Sequence, residues 1–167
     1  HNGAIALESK RGKGAVFKIW LPVYYGPPVS EKPAEISHKR PAGSESILFV
    51  DDEKSITDVL QQMLESLGYR VEARVEPMAA LKAFQDAPDA FDLVITDMTM
   101  PGMTGLLLAQ KLKAIRRDIP VIICSGHHLK VDKEKAEASG VAAFVRKPIL
   151  MSTIAQTIRQ VLDKPYI

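Results

Sequence analysis

Acidic and basic side chains stand at the ends of several apolar runs in this chain of 167 residues. The residues that could do chemistry lie at or just after the ends of ILFV, LVIT, IPVIIC and VAAFV, and they are Asp51, Asp52, Asp97, Ser125 and Lys147. A carboxylate at the end of a buried strand costs free energy unless another group pairs with it. The partners of Asp97 must therefore come from other parts of the chain or from a bound cation.

The apolar runs predict the elements that could bring these residues together. Five short runs, at 47–51, 69–75, 92–96, 119–125 and 141–145, predict strands, and the segments between them carry apolar residues at helical spacing. Most of the runs lack polar alternation, as is typical of parallel strands buried on both faces. We therefore predict a doubly wound α/β fold with a five-stranded parallel sheet and helices on both faces.

Five helices are predicted between and after these strands. The first carries apolar residues including Val59 and ends at Gly68, and the second begins at Pro77. The third follows Asp97, and the fourth is the weakly apolar, charged segment KVDKEKAEAS at 130–139. The last helix is predicted to bury one face formed by Leu150, Ile154, Ile158, Val161 and Leu162.

The first 45 residues have a different character. Alternating residues on both sides of a glycine-containing turn predict a β-hairpin within residues 1–25, which form the first predicted domain. Residues 26–45 are rich in proline and charge and predict a linker, and residues 46–165 form the α/β domain. Because a two-stranded hairpin is marginally stable alone, we interpret it as the edge of a larger domain.

Composition excludes several classes of protein. The formal charge is +2, so no strong field points to nucleic acid or to a membrane surface. The single cysteine, Cys124, excludes a disulfide framework, and no apolar run is long enough to span a membrane. We expect a cytoplasmic monomer that contacts neither nucleic acid nor membrane.

In open α/β sheets, ligands bind outside the carboxyl ends of the strands, where these polar residues are predicted to lie. Each has an ordinary interpretation: the first aspartates as helix caps, Asp97 as a turn residue, Ser125 as a cap and Lys147 as a solvated side chain. Their occurrence together at one edge favours a site instead. Three carboxylates there would repel one another by on the order of 4 kcal/mol per pair at about 4 Å and an effective dielectric near 20.

One lysine cannot neutralise three carboxylates, but a hard divalent cation with oxygen ligands can. The sequence therefore predicts a Mg²⁺ site, with Mn²⁺ as the substitute. In such a site Asp97 can be a nucleophile that accepts a phosphoryl group, while Lys147 and Ser125 contact the phosphoryl oxygens.

Residues 46–165 resemble the receiver domain of two-component response regulators. The resemblance is carried by VDDE at 50–53, TDMTMPGMTG at 96–105, CSG at 124–126 and FVRKP at 144–148. It implies a flavodoxin-like sheet with strand order 2-1-3-4-5. It also implies that Asp97 accepts phosphate from a phosphohistidine in a magnesium-dependent reaction.

The same resemblance assigns roles to further residues. Asp52 and Asp97 would bind the metal directly, Asp51 through water, and Thr99 through its main-chain carbonyl. Ser125 and Lys147 would bind the phosphoryl group, and Ser125 and Phe144 would form a switch pair, with phenylalanine in place of the more frequent tyrosine. The peptide before Pro148 would be cis.

The hairpin resembles the closing strands of the ATP-binding domain of sensor histidine kinases, where a turn such as RGKG precedes a strand ending in LP. A kinase domain followed by a receiver is the order of a hybrid histidine kinase. The expected partners are the dimerisation and phosphotransfer domain of the parent kinase and a histidine phosphotransfer protein. The chain lacks the nucleotide-binding loops, so we expect it to act only as a phosphoacceptor with slow autodephosphorylation.

Three alternatives compete with this interpretation. An FMN-binding flavodoxin would need phosphate-binding hydroxyls and amides where this chain has DDEKS at 51–55. A phosphatase of the haloacid dehalogenase class typically has an aspartate two residues after its nucleophile, where this chain has Thr99. A phosphorylation-independent pseudo-receiver, acting as a protein interaction module, remains the third alternative.

Overall fold

The computed structural model describes residues 2–23, 42–126 and 140–163. The predicted fourth helix, at 130–139, and most of the predicted linker lie outside these residues. The chain divides into two compact units, His1–Ile36 and Ser37–Ile167.

The first unit contains the predicted hairpin. Strands β1 (Ala4–Lys10) and β2 (Gly14–Trp20) pair in antiparallel register, with Ile5 opposite Ile19 and Leu7 opposite Phe17. These four apolar side chains share one face, because opposite residues of paired strands point the same way. All residues of both strands are exposed within the described part of the chain.

The second unit is a parallel sheet of five strands: β3 (Ser46–Val50), β4 (Arg70–Arg74), β5 (Leu93–Asp97), β6 (Val121–Ser125) and β7 (Ala143–Arg146). Their spatial order is β4-β3-β5-β6-β7, and every neighbouring pair is parallel. Numbered within this sheet alone, the order is the 2-1-3-4-5 arrangement implied by the resemblance. The predicted fold class is confirmed.

The described helices of this unit are α1 (Lys54–Ser66), α2 (Pro77–Asp86), α3 (Gly105–Ile115) and α4 (Met151–Leu162), and a short 3₁₀ helix spans Pro88–Ala90. Pro77 occupies the first turn of α2, as predicted. Gly68 follows α1 with a positive φ of +95°, and a Cβ there would lie 2.5 Å from the Gly43 carbonyl oxygen. Glycine is therefore required by both conformation and space.

Two apolar layers hold the helices to the sheet. Alternate side chains of a strand point to opposite faces, so Ile47 and Phe49 pack toward α1 and α4, whereas Leu48 and Val50 pack toward α2 and α3. Full burial of each such side chain contributes about 1.5–3 kcal/mol. This packing fixes the strands and hence the residues at their carboxyl ends.

One residue of the predicted apolar face of α1 and one of the predicted face of α4 are not in the core. Val59 on α1 is 58% exposed, and Leu150 is 61% exposed. Leu150 lies just before α4 with an extended backbone, so the apolar face of that helix begins one turn later than predicted. In the described ranges, no helix combines the length and the apolar character that crossing a membrane requires.

Candidate functional site

The parallel sheet brings the predicted site residues to one edge. Asp97 and Ser125 are the last residues of β5 and β6, and Asp51 immediately follows β3. Lys147 immediately follows β7, where its main-chain N–H donates to the carbonyl oxygen of Ser125 at 2.8 Å. Neighbouring strands lie only about 5 Å apart, so side chains at these ends can meet.

Lys147 joins two of the aspartates directly. Its Nζ lies 2.6 Å from Asp97 Oδ1 and 2.8 Å from Asp51 Oδ2. Both carboxylates are buried, whereas the lysine side chain is 25% exposed. Partial burial lowers the pKa of the Lys147 ammonium, but its hydrogen bonds to Asp51 and Asp97 raise that pKa by more, so the net shift is upward. Lys147 is therefore charged at neutral pH, and the three groups together carry one net negative charge.

Each carboxylate also accepts one hydrogen bond from the main-chain N–H of the residue two positions later in the chain. The N–H of Glu53 donates to Asp51 Oδ1 at 3.0 Å, and the N–H of Thr99 donates to Asp97 Oδ2 at 2.7 Å. Aspartate favours such local turns. One oxygen of each acid is thus held by the main chain and the other by the ammonium, which fixes the orientation of both groups.

The loop after β5 packs closely against the main chain of Asp97. The N–H of Met98 donates to the carbonyl oxygen of Cys124 at 2.8 Å, and the N–H of Gly105 donates to the carbonyl oxygen of Met98 at 2.9 Å. A Cβ on Gly105 would lie 2.2 Å from the carbonyl oxygen of Asp97. Any larger residue at 105 would displace the backbone of the predicted acceptor.

The remaining predicted residues lie on the same part of the fold. Ser125 is buried, and Phe144 on β7 is half-buried against the apolar layer of α2 and α3. The Lys147–Pro148 peptide is cis, the isomer that the resemblance implied. Asp52 and Thr99 are exposed.

The donor atoms at this edge suit a hard cation, because they are all oxygens and the acid pair with Lys147 leaves a negative charge. The structure brings two of the three predicted carboxylates together and leaves Asp52 exposed. Within residues 2–23, 42–126 and 140–163, no group of three or more His, Cys, Asp or Glu side chains is arranged to hold a metal ion.

A groove beside the acid pair was not predicted from the sequence. It has a volume of about 480 Å³ and is lined by one face of α1 and by the turn after β7, that is by Ser55, Ile56, Val59, Leu60, Met63, Lys147, Pro148 and Ile149. Lys147 thus contacts Asp97 and also lines the groove. In the sequence, the groove corresponds to apolar residues at helical spacing in α1, a pattern that equally predicts packing into the core.

Comparison with known proteins identifies the family. A model described as the response regulator receiver domain matches residues 47–159, so the chain belongs to the response regulator receiver family. Receiver domains serve as phosphoacceptors in two-component signalling and generally bind Mg²⁺ for phosphorylation.

Sensor proteins and a receiver structure are among the similar proteins. The sequence is 29% identical to the sensor kinase CckA of Brucella abortus, covering 97% of this chain and 18% of that protein. It is 27% identical to the aerobic respiration control sensor protein ArcB of Escherichia coli, covering 96% and 21%. A solved receiver domain from Clostridium thermocellum is 28% identical with a TM-score of 0.68, covering 71% of this chain and 94% of that one. The chain thus spans about a fifth of the length of these two sensor proteins.

Proposed function

We propose that Asp97 is the residue of this receiver domain that accepts a phosphoryl group from a phosphohistidine. The observation that carries the proposal is the contact of Lys147 Nζ with both Asp97 and Asp51 at the carboxyl edge of the sheet. In the transfer, a carboxylate oxygen of Asp97 attacks phosphorus, the phosphorus–nitrogen bond breaks, and the imidazole leaves with the electron pair of that bond. The product is an acyl phosphate on Asp97.

The chain's own residues would act on the charge of the transferred group. Lys147 is already within hydrogen-bonding distance of Asp97 and can follow the added phosphoryl oxygens, to which Ser125 can donate. Asp52, Asp97 and the carbonyl of Thr99, with Asp51 through water, would hold Mg²⁺ or Mn²⁺. The bound cation would neutralise negative charge on the phosphoryl oxygens.

Labelling by a small phosphodonor tests the acceptor. With acetyl phosphate and Mg²⁺, we expect a mass gain of one phosphoryl group that is stable in acid, labile in base and lost on adding a chelator. Asp97→Asn should abolish the gain, whereas Asp86→Asn, which removes an exposed carboxylate of α2, should leave it intact. A gain that persists in Asp97→Asn would refute the assignment, and no gain in the unmodified chain would favour the pseudo-receiver.

We further propose that Ser125 and Phe144 convert phosphorylation into a change of surface. A charge-assisted hydrogen bond from the Ser125 hydroxyl to a phosphoryl oxygen would open space into which the half-buried Phe144 ring can turn. NMR spectra with a beryllofluoride phosphoryl mimic should show shifts at Phe144 that Ser125→Ala lacks. Equal shifts in both proteins would exclude a switch through this pair.

The hairpin supports a place for this receiver in a hybrid histidine kinase. The alignments with CckA and ArcB cover nearly the whole chain, and the apolar face of the hairpin, with Ile5 and Phe17, is exposed. We therefore assign residues 1–25 to the end of an ATP-binding domain, residues 26–45 to a linker and residues 46–165 to the receiver. Because the kinase consumes ATP, we place the reaction in the cytoplasm.

Phosphotransfer assays test this assignment. The parent kinase, phosphorylated on histidine, should label this chain, and a histidine phosphotransfer protein should then remove the label in a chase. ATP alone should not label the chain, because residues 1–25 offer no glycine-rich turn at a helix N-terminus to hold phosphates. Labelling by ATP alone would contradict the assignment.

We infer that the groove along α1 receives a helix of the histidine-bearing donor. It is apolar, it borders Lys147, and Val59 is exposed within it. Val59→Asp should therefore slow transfer from the protein donor but leave labelling by acetyl phosphate unchanged. Met78→Asp, at a similarly exposed apolar position on α2, is the matched control and should change neither rate. Equal slowing by both substitutions would exclude the groove as the docking surface.

A further inference from the structure

Thr57 on α1 is buried next to the acid pair but is not one of the predicted site residues. In the described part of the chain, the buried polar residues are Asp51, Thr57, Thr96, Asp97 and Ser125. Thr57 differs from the other four because it lies on a helix and not at the carboxyl edge of the sheet. Its hydroxyl donates to the carbonyl oxygen of Asp51 at 2.9 Å.

Every polar group of Asp51 has a partner. Its N–H donates to the carbonyl oxygen of Arg74 at 3.2 Å, and its two carboxylate oxygens accept from the N–H of Glu53 and from Lys147 Nζ. Its carbonyl oxygen accepts from Thr57. Among these partners Thr57 contributes a neutral side chain, so its hydroxyl can be removed without changing the charge of the site.

We propose that Thr57 is a positioning residue that sets the orientation of Asp51 for cation binding and phosphoryl transfer. The proposal rests on the proposed function of the site. Asp51 lies one residue beyond β3, so its peptide unit is at the point where the sheet ends and the turn begins. The hydroxyl ties this peptide to α1, and the direction of the Asp51 side chain follows from the direction of its peptide.

An ordinary helical role for the hydroxyl makes a different prediction. Thr57 Oγ1 also lies 3.1 Å from the carbonyl oxygen of Glu53, four residues earlier, which is a common contact of threonine in helices. Thr157 on α4 makes the same kind of contact with Thr153 at 2.9 Å. A helical role alone would make Thr57 and Thr157 equivalent, whereas the contact with Asp51 distinguishes Thr57.

Four variants test the proposal. Thr57→Val keeps the side-chain shape and removes the donor, and Thr57→Ser keeps the donor. Thr57→Ala, compared with Thr57→Ser, isolates the hydroxyl if the valine variant fails to fold. Thr157→Val is the matched control. Each is measured for Mg²⁺ affinity by NMR titration of the Glu53 and Thr99 amides, for the acetyl phosphate labelling rate at limiting Mg²⁺, and for the urea midpoint.

We expect Thr57→Val to weaken Mg²⁺ binding and labelling by on the order of 10-fold, as is typical when a group supporting a metal ligand is lost. Thr57→Ser should stay within about twofold of the unmodified chain because it keeps the hydroxyl that donates to the Asp51 carbonyl oxygen. Thr157→Val should lower only the urea midpoint. Equal Mg²⁺ affinity in the variants with and without the hydroxyl would overturn the proposal, whatever their stability.

The same measurements separate this proposal from the function of the site. An unmodified chain that binds Mg²⁺ but is not labelled would refute the phosphoacceptor role, and the affinities of the Thr57 variants would still decide the positioning role. An unmodified chain that binds no Mg²⁺ would refute both.

Discussion

Replacing Lys147 by methionine should destabilise the α/β unit by about 3 kcal/mol, a value at the lower end of those measured when a buried ion pair is broken. The ammonium contacts Asp97 and Asp51 at 2.6 and 2.8 Å. Each contact corresponds to about 6 kcal/mol of attraction at an effective dielectric near 20, and desolvation offsets much of it. The expected loss lies at the lower end of that range because the lysine side chain is 25% exposed to solvent. Methionine retains most of the apolar stem, so the measured loss reports mainly on charge.

The origin of this loss can be separated by a double-mutant cycle with Asp97→Asn. In the single variant Lys147→Met, two buried carboxylates lack their common partner, whereas only Asp51 does so in the double variant. The cost of Lys147→Met should therefore be smaller in the Asp97→Asn background by about 1 kcal/mol or more. Mg²⁺ should stabilise Lys147→Met more than the unmodified chain, because the cation supplies the missing positive charge.

Urea unfolding followed by far-ultraviolet circular dichroism measures these differences. Tryptophan fluorescence is unsuitable because the single tryptophan, Trp20, lies in the other unit. Lys82→Met is the matched control: Lys82 is exposed and 3.6 Å from Asp86, so its loss should cost at most about 0.5 kcal/mol. A cost of Lys147→Met below about 1 kcal/mol, or an equal cost with and without the Asp97 carboxylate, would show that the ion pair does not stabilise the unit in this way.

Three further predictions concern Glu45, Cys124 and Gly105 of the α/β unit. Partial burial raises the pKa of Glu45, but hydrogen bonds from Arg159 and the main chain lower it by more, so the net shift is downward. Glu45→Gln should therefore lower the free energy of unfolding in urea by about 1 kcal/mol at pH 7. This difference should vanish as the pH falls from 4.5 through the lower pKa of the folded state. Burial raises the pKa of Cys124 to about 12, so a disulfide reagent should modify it rapidly only in urea. Gly105→Ala should cost about 1–3 kcal/mol and slow labelling of Asp97, because its Cβ overlaps that residue's carbonyl; unchanged labelling would show that the loop adapts.

The sheet could be predicted because its strands are short apolar runs, and a parallel sheet buries such runs on both faces. The position of the site followed from the same pattern, since carboxyl ends of parallel strands share one edge. Strand bounds differ from the prediction: the apolar run predicts the fifth strand at 141–145, and the strand is Ala143–Arg146. Hydrogen bonding to the neighbouring strand decides where a strand begins, and that partner is distant in sequence.

Other features depend on contacts that no local pattern encodes. Val59 has helical spacing like its buried neighbours, but it faces the groove because no element of the described chain covers that part of α1. The ion pair between Glu45 and Arg159 joins residues 114 positions apart. In the sequence, nothing distinguishes Thr57 from other polar residues of a helix. Its contact with the Asp51 carbonyl oxygen arises from the turn of the chain after β3.

The charges of the site lead us to expect that exchanging its residues for apolar ones would abolish the proposed function. Two buried carboxylates with one ammonium leave an uncompensated negative charge, which lowers stability relative to an apolar core. The same charge would attract a divalent cation, and the proposed phosphoryl group on Asp97 would increase the demand for positive charge. Lys147 would serve both states, because its partly exposed side chain could move from a carboxylate to a phosphoryl oxygen while remaining an ammonium. An arginine there would keep the charge, but its planar group could not follow both arrangements as a compact ammonium does.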